Sequence, residues 1–327
     1  MTGSDKKSVD PAASQRRIQR SVEARDKGSS HAASDEAMQA GARLYPVPPF
    51  PKQHQTKPGE EHRLSPAPCY DAPHYLGSEK LKDRVAIITG GDSGIGRSVA
   101  VLYAREGADI AIVYLAERED AEVTRKAVEK EGRRCLLIEG DVSNSSFCRE
   151  AVAKTIEHYG RLDVLVNNAA FQEHANSLED ITDEHFDRTL KTNLYGYFYM
   201  ARAAVPHLPQ GGAIINTGSV TGLLGNRDLL DYSLTKGGIH AFTRSLAANL
   251  VAKGVRVNAV APGPVWTPLN PSDKDARHVS QFGGQTPMKR PAQPEEIAPA
   301  FVFLAAPSCS SFITGEILPI IGGYSGG

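Results

Sequence analysis

From Leu81 onward, seven short apolar runs rich in β-branched residues recur along the chain. They are RVAIIT (84–89), DIAIVYL (109–115), CLLIEG (135–140), LDVLVNN (162–168), GAIINTG (212–218), VRVNAVA (255–261) and GEILPII (315–321). Apolar residues in these runs are nearly continuous rather than alternating with polar ones. That pattern suits strands buried on both faces of a parallel sheet. Between them lie segments with helical periodicity, among them IGRSVAVLYAREG, SSFCREAVAKTIEHYG and HFDRTLKTNLYGYFYMARAAVPHL. Strand–helix alternation predicts βαβ units. The expected fold is α/β: one doubly wound, parallel, seven-stranded sheet with helices on both faces, spanning residues 81–327.

The pattern changes before residue 81. Residues 1–43 are rich in Ser, Ala, Lys, Arg and Asp, with few large apolar side chains. Such a segment buries too little surface to offset its ordering entropy, so disordered chain is expected, with room for a short helix over 35–42. Residues 44–80 are dense in proline and predict an extended arm. Its Tyr45, Phe50, Tyr70 and Tyr75 either pin the arm to the folded body or decorate a loose linker. The extension as a whole is read as irregular.

Composition narrows the possibilities further. The chain has 327 residues, 40% of them apolar and 23% charged, with a formal net charge of -1. No global field recruits nucleic acid or an anionic membrane. No apolar run reaches the roughly 20 residues that span a bilayer. The polar N-terminus lacks a signal-peptide core, and no apolar segment follows Arg16-Arg17. Four dispersed cysteines form neither a disulfide framework nor a metal set, and no histidine pair has ligand spacing. A cytoplasmic enzyme with no metal is the resulting expectation.

Candidate chemistry begins where the first strand runs into TGGDSGIGRSVA (89–100). Glycines at such a junction permit a tight turn and a close backbone approach to a pyrophosphate, and the helix N-terminus attracts the anion. This points to a Rossmann-type dinucleotide site. The second strand ends at Tyr114 and Leu115 without the carboxylate that reads the ribose of NAD. Glu117 and Arg118 follow and argue in opposite directions, so NAD and NADP stay open with a lean to NADP. Asp141 and Val142 stand at a third strand tip, placed either to meet adenine or to cap a helix. In DYSLTKGGIHAF (231–242), Tyr232 and Lys236 share one helical face. An ammonium beside a phenol favours phenolate, which makes the pair a candidate proton donor and acceptor.

Taken in order, TGGDSGIG, GDV (140–142), NNAA (167–170), Asn193, GSV (218–220), YSLTK (232–236) and PGPVWT (262–267) resemble the classical short-chain dehydrogenases/reductases over nearly all of 81–327. The proline-rich lead-in also looks like the general-stress and glucose/ribitol-dehydrogenase-like subgroup, several members of which are regarded as aldehyde reductases. The resemblance implies Tyr232 as acid/base, Lys236 on the cofactor ribose, Ser219 on the substrate oxygen and Asn193 holding a relay water. It further implies Gly90, Ser93, Gly94, Ile95 and Gly96 at the pyrophosphate and Tyr114 at the second strand tip. Asp141 and Val142 fall at adenine, Asn168 at a ribose, and Pro262, Gly263, Val265 and Thr267 at the nicotinamide. Two departures stand out: Ala170 replaces a glycine, and Ile321 occupies a position where an aspartate is common.

The implied activity is NAD(P)-dependent interconversion of a small aldehyde, ketone or sugar with its alcohol. Alternatives are a 3-oxoacyl-carrier-protein reductase, with Lys289-Arg290 as a thin docking patch, and a non-catalytic cofactor-binding sensor. Residues 268–291 correspond to the family's substrate lid. The family also implies a homotetramer, packed through the helices around 183–206 and 232–252 and through the last strand.

Overall fold

The computed structural model describes residues 11–28 and 36–323. The chain divides into two compact units, Met1–Glu36 and Ala37–Gly327. In the first, where composition predicted disordered chain, Pro11–Gly28 forms helix α1. Local bonds such as Gln19 Nε2 to Glu23 (3.3 Å) link its successive turns. No helix forms over 36–42; residues 1–10 and 29–35, also expected to be disordered, lie outside the described residues.

In the second unit each of the seven apolar runs supplies a strand. These are β1 (Val85–Thr89), β2 (Asp109–Tyr114), β3 (Cys135–Glu139), β4 (Val164–Asn167), β5 (Ala213–Thr217), β6 (Arg256–Pro262) and β7 (Ile317–Ile320). They form one parallel sheet in the order β3-β2-β1-β4-β5-β6-β7. The helices are α2 (Gly94–Arg105), α3 (Arg118–Lys130), α4 (Ser145–Tyr159), α5 (Asp183–Leu190) and α6 (Gly196–Ala204). Then come α7 (Thr221–Leu224), α8 (Leu230–Leu250), α9 (Ala276–Ser280), α10 (Pro294–Ala305) and α11 (Pro307–Ser310).

Successive strand side chains point to opposite faces, and here both faces are buried. Ile88 and Ile112 pack with Leu102, Val128 and Phe301, beneath α2, α3 and α10. Ile87 and Val113 pack with Val152, Met200 and Leu250, beneath α4, α6 and α8. This explains the continuous apolar runs. Strand order reverses direction between β1 and β4, and their C-terminal tips open a crevice where ligands of such sheets bind.

The proline-rich arm is pinned. Phe50 stacks on Trp266 with ring centroids 4.2 Å apart, in a small core with Leu64 and Val279. Trp266 Nε1 donates to the Pro66 carbonyl at 2.8 Å. Tyr45 lies under the Arg290 guanidinium, Tyr70 under that of Arg97, and the Tyr75 hydroxyl donates to Glu106. All four aromatics singled out in the sequence therefore touch the body.

Candidate active site

A cleft of about 680 Å³ runs along the C-terminal tips of the strands. Of the sequence-selected residues, Gly90, Ser93, Gly94, Ile95, Tyr114, Asp141, Val142, Asn168, Ser219, Tyr232, Lys236, Pro262, Gly263, Val265 and Thr267 line it. Gly96 and Asn193 do not.

At the β1 tip the turn is tight. Gly90 and Gly94 have φ of +62° and +51°, which disfavour any side chain. A Cβ on Gly96 would lie 1.9 Å from the Gly90 carbonyl oxygen, so this glycine seats α2 against the turn rather than facing the cleft. The amide of Asn168 donates to the carbonyls of Thr89 (3.2 Å) and Gly90 (3.0 Å), tying the β4 tip to the turn. The result is a glycine cradle at a helix N-terminus whose first amide, Gly94 N, is already taken by the buried Glu61 carboxylate. The remaining turn residues fit a dinucleotide diphosphate.

At the β2 and β3 tips, the Tyr114 hydroxyl bonds Glu139 at 3.2 Å. The Asp141 carboxylate accepts from Ser143 N (2.8 Å) and Oγ (2.7 Å) and so holds its own turn. Asn144, not Asp141, caps α4. Asp92, in the turn itself, is buried and its carboxyl is pushed up to about 7, by burial first and by the Glu117 charge second.

At the other end of the cleft, α8 presents Tyr232 and Lys236 together. The Lys236 ammonium lies 5.4 Å from the Tyr232 ring centre and donates to the Thr217 carbonyl at 2.7 Å. The Ser219 hydroxyl, which accepts from Thr221 N (3.1 Å) and meets its Oγ1 (3.0 Å), lines the cleft with Tyr232 and pulls its phenol down. Burial pushes the Tyr232 phenol up, against the pull of Ser219, and pushes Lys236 down to about 7. The sequence reading has the ammonium favouring phenolate; in this structure burial is the largest influence on the phenol and raises it.

Asn193 sits in a π-helical turn, Lys191–Tyr195, between α5 and α6. Its amide donates to the Phe171 carbonyl (2.9 Å) and to Thr235 Oγ1 (3.1 Å), and its oxygen accepts from Phe171 N (2.8 Å). The side chain thus pins the loop after β4 instead of facing the cleft. Ile321 lies against Gly263, where a Cβ would meet the Ile321 backbone at 2.9 Å.

The model of the family described as enoyl-(acyl carrier protein) reductase matches residues 90–325. General stress protein 39 of Bacillus subtilis (strain 168) is 54% identical over 275 residues, covering 84% of this chain and 96% of the relative. The chain belongs to the short-chain dehydrogenases/reductases. These are NAD(P)-dependent oxidoreductases, and this chain is one. The chloroplastic NADPH-dependent aldehyde reductase 1 of Arabidopsis thaliana is 44% identical over 278 residues, covering 83% of this chain and 96% of the relative. A short-chain dehydrogenase of Burkholderia cenocepacia J2315, solved in complex with NADP, superposes with a TM-score of 0.70 at 32% identity. That match covers 75% of this chain and 98% of the other. Among the described residues, no helix is long and apolar enough to cross a membrane.

Several residues at the site were not singled out by sequence. Glu61 of the arm is 2% exposed; its carboxylate accepts from the Gly94 amide at the start of α2 and from Arg97 NH1 at 2.6 Å. Arg97 also reaches Asp120, which in turn accepts from the Glu61 and His62 amides. Lys57, Pro58 and Gly59 of the arm line the cleft, as do Arg188 and Lys274. A charge within a proline-rich stretch has no periodicity to betray burial, so no sequence signal pointed to Glu61. The lid reading of 268–291 did point to the segment that holds Lys274.

Proposed function

We propose that this protein interconverts a small carbonyl compound and its alcohol by hydride transfer, with Tyr232 as acid/base. The observation that carries this reading is the convergence of Tyr232, Ser219 and Lys236 at one end of a cleft whose middle is the glycine cradle. Two hydroxyls aimed at one substrate oxygen supply a proton and a second hydrogen bond as negative charge develops. Burial keeps Tyr232 protonated, the state a donor needs for reduction. A bound nicotinamide supplies the hydride, and its oxidised form brings the positive charge that favours phenolate in the reverse direction. Lys236, anchored on the Thr217 carbonyl, orients the cofactor ribose. Asn193 acts through Phe171, as a positioning residue for the cleft floor.

NAD and NADP both stay open at the adenosine end, with the lean to NADP supported by the exposed Arg118 guanidinium beside the Tyr114 tip. Glu117 lines the cleft and Arg118 borders it; Asp92, Tyr114, Glu117 and Asp141 line the adenosine end. The nearby Arg97 is 3% exposed and engaged by Glu61, Asp120 and the Asp92 carbonyl. A 2′-phosphate at the β2 tip would meet the exposed Arg118 guanidinium, whose charge already reaches the Tyr114 hydroxyl, as well as the Glu117 carboxylate.

The carrier-protein alternative loses its docking patch, because Arg290 is 3% exposed and forks onto Glu296 at 2.7 and 2.8 Å. A homotetramer is supported by apolar side chains left exposed on the expected faces, including Tyr195 and Phe198 near α6, Leu234 on α8 and Phe312 before β7. All four cysteines are free, as suits a reducing cytoplasm.

The test is to titrate NADH and NADPH into the purified protein and then follow cofactor oxidation with a panel of aldehydes and ketones. Tight binding with turnover that disappears in Tyr232→Phe is the expected result. Turnover that persists in Tyr232→Phe would remove the tyrosine from the mechanism.

A further inference from the structure

Charge along the cleft is completely segregated. The acidic residues lining it, Asp92, Glu117 and Asp141, stand at the β1–β3 tips. The basic ones, Lys57, Arg188, Lys236 and Lys274, all stand at the reaction end. Lys236 belongs to the catalytic constellation. The other three come from separate segments: the arm, α5 and the lid.

Their partners differ. Lys57 donates to the Gln172 carbonyl at 2.7 Å and pairs with Asp273 at 3.3 Å. Asp273 does not itself line the cleft; its carboxylate, 2% exposed, also accepts from His174 N (3.0 Å) and Gln172 Nε2 (2.9 Å) and contacts His174 Nδ1. That carboxylate is saturated. Arg188 lies over the Phe171 ring at 5.6 Å, on the same ring that Lys57 approaches at 5.2 Å. Lys274 lies over the Phe282 ring at 5.4 Å. Among the described residues, neither Arg188 nor Lys274 has a hydrogen-bond acceptor or an ion pair. Burial pushes Lys274 down despite Asp273, Asp228 and Asp275 nearby.

Arg188 is exposed and free to reach a ligand. Lys274 is half-buried; with no direct partner among the described residues beyond the Phe282 face, it keeps a desolvation cost that the aspartates at a distance only partly offset. A guanidinium and an ammonium converging on one site are the usual reading groups for carboxylate and phosphate. Resting on the carbonyl-reductase reading above, we infer that the substrate is a small oxo compound bearing a carboxylate or phosphate, bound by Arg188 and Lys274 while Tyr232 faces its carbonyl. Lys57 acts behind them as a positioning residue that holds the Asp273–Gln172–His174 wall.

Matched substrates test this: succinic semialdehyde against butanal, and glyceraldehyde 3-phosphate against glyceraldehyde, each with saturating NADH. The anionic member of a pair should have a kcat/KM about tenfold higher, mostly through KM, as one charge-assisted contact supplies. Rising salt should shrink that advantage. Arg188→Met and Lys274→Met should lower the anionic member's kcat/KM several-fold more than the neutral member's, and Lys274→Arg should restore most of it. The larger advantage within one pair identifies carboxylate or phosphate as the group read. Equal use of both members, or equal losses in both, overturns the inference while leaving the carbonyl reading standing. So does a preference confined to acyl-carrier-protein thioesters over free ones, because the carrier's acidic surface would then account for the cations. If nothing is turned over, the carbonyl reading fails on its own, and succinate and inorganic phosphate titrated into the NADH complex decide the anion site. Wild type should bind one of them about tenfold more tightly than the Arg188→Met/Lys274→Met double variant, and equal affinities overturn it.

Discussion

The two ends of the cleft are built from different materials. The adenosine end is made of strand tips and tight turns close in sequence, with carboxylates engaged locally: Asp141 holds Ser143, and Glu117 receives the Ala116 amide. The reaction end is assembled from distant pieces, among them residue 57 of the arm, 188 on α5, 232 and 236 on α8, and 274 in the lid. The first end is mainly a product of βαβ geometry, with Glu61 of the arm and Asn168 of the β4 tip added from a distance. The second exists only once the whole unit has folded. Under the proposed function, cofactor choice would follow mostly from local structure and substrate choice from long-range packing.

The sharpest way to break the reaction end is Tyr232→Phe. Removing a positioned proton donor should lower kcat about 10³-fold, within the range such donors contribute, while NADH still binds. A loss below tenfold in stopped-flow single turnovers would show that another group moves the proton. The next effect is at the adenosine end. Calorimetric titration should give NADPH several-fold tighter than NADH, and Arg118→Met should narrow that gap while Glu117→Gln widens it. Tighter NADH than NADPH, or no effect of Arg118→Met, would sink the assignment of Arg118 to the 2′-phosphate. Binding of 2′-AMP against 5′-AMP isolates the same contrast from the nicotinamide.

The smallest effect is on stability. Lys236 titrates near 7 in the fold against an ordinary 10.5, so between those values the unfolded chain holds a proton that the folded chain lacks. Its contribution to stability therefore rises with pH from about 7 to 10.5, and the burial cost is complete below 7. The difference in Tm between cofactor-free wild type and Lys236→Met should shift in favour of wild type through that window. A flat difference would mean that Lys236 stays charged when folded.

How legible each end was follows from the same contrast. Asn168 came from the resemblance, whereas periodicity and the glycine turn marked all seven strands and placed Gly90 and Gly94, because these depend on local backbone demands. The Tyr232–Lys236 pair was legible for the same reason, being one helical turn apart. Lys57, Arg188 and Lys274 were not, since nothing local ties three surface-type cations to one cleft. Asn193 was found by its motif, yet its side chain turned out to hold Phe171, a contact across 22 residues that spacing does not encode. Glu61 was hidden by its proline-rich surroundings, whose composition speaks of extension and not of burial.

Glu61 also changes what counts as a transplantable part. A designer who cut at Leu81 to graft the sheet and its glycine turn elsewhere would leave the Gly94 amide without its acceptor. The same cut would strip Arg97 of one of its two buried carboxylates and bare the Trp266 face that Phe50 covers. Unpaired buried charge of that kind is costly. The portable module starts upstream of the arm, near Ala37, and a graft that omits it inherits a nucleotide turn with its keystone missing.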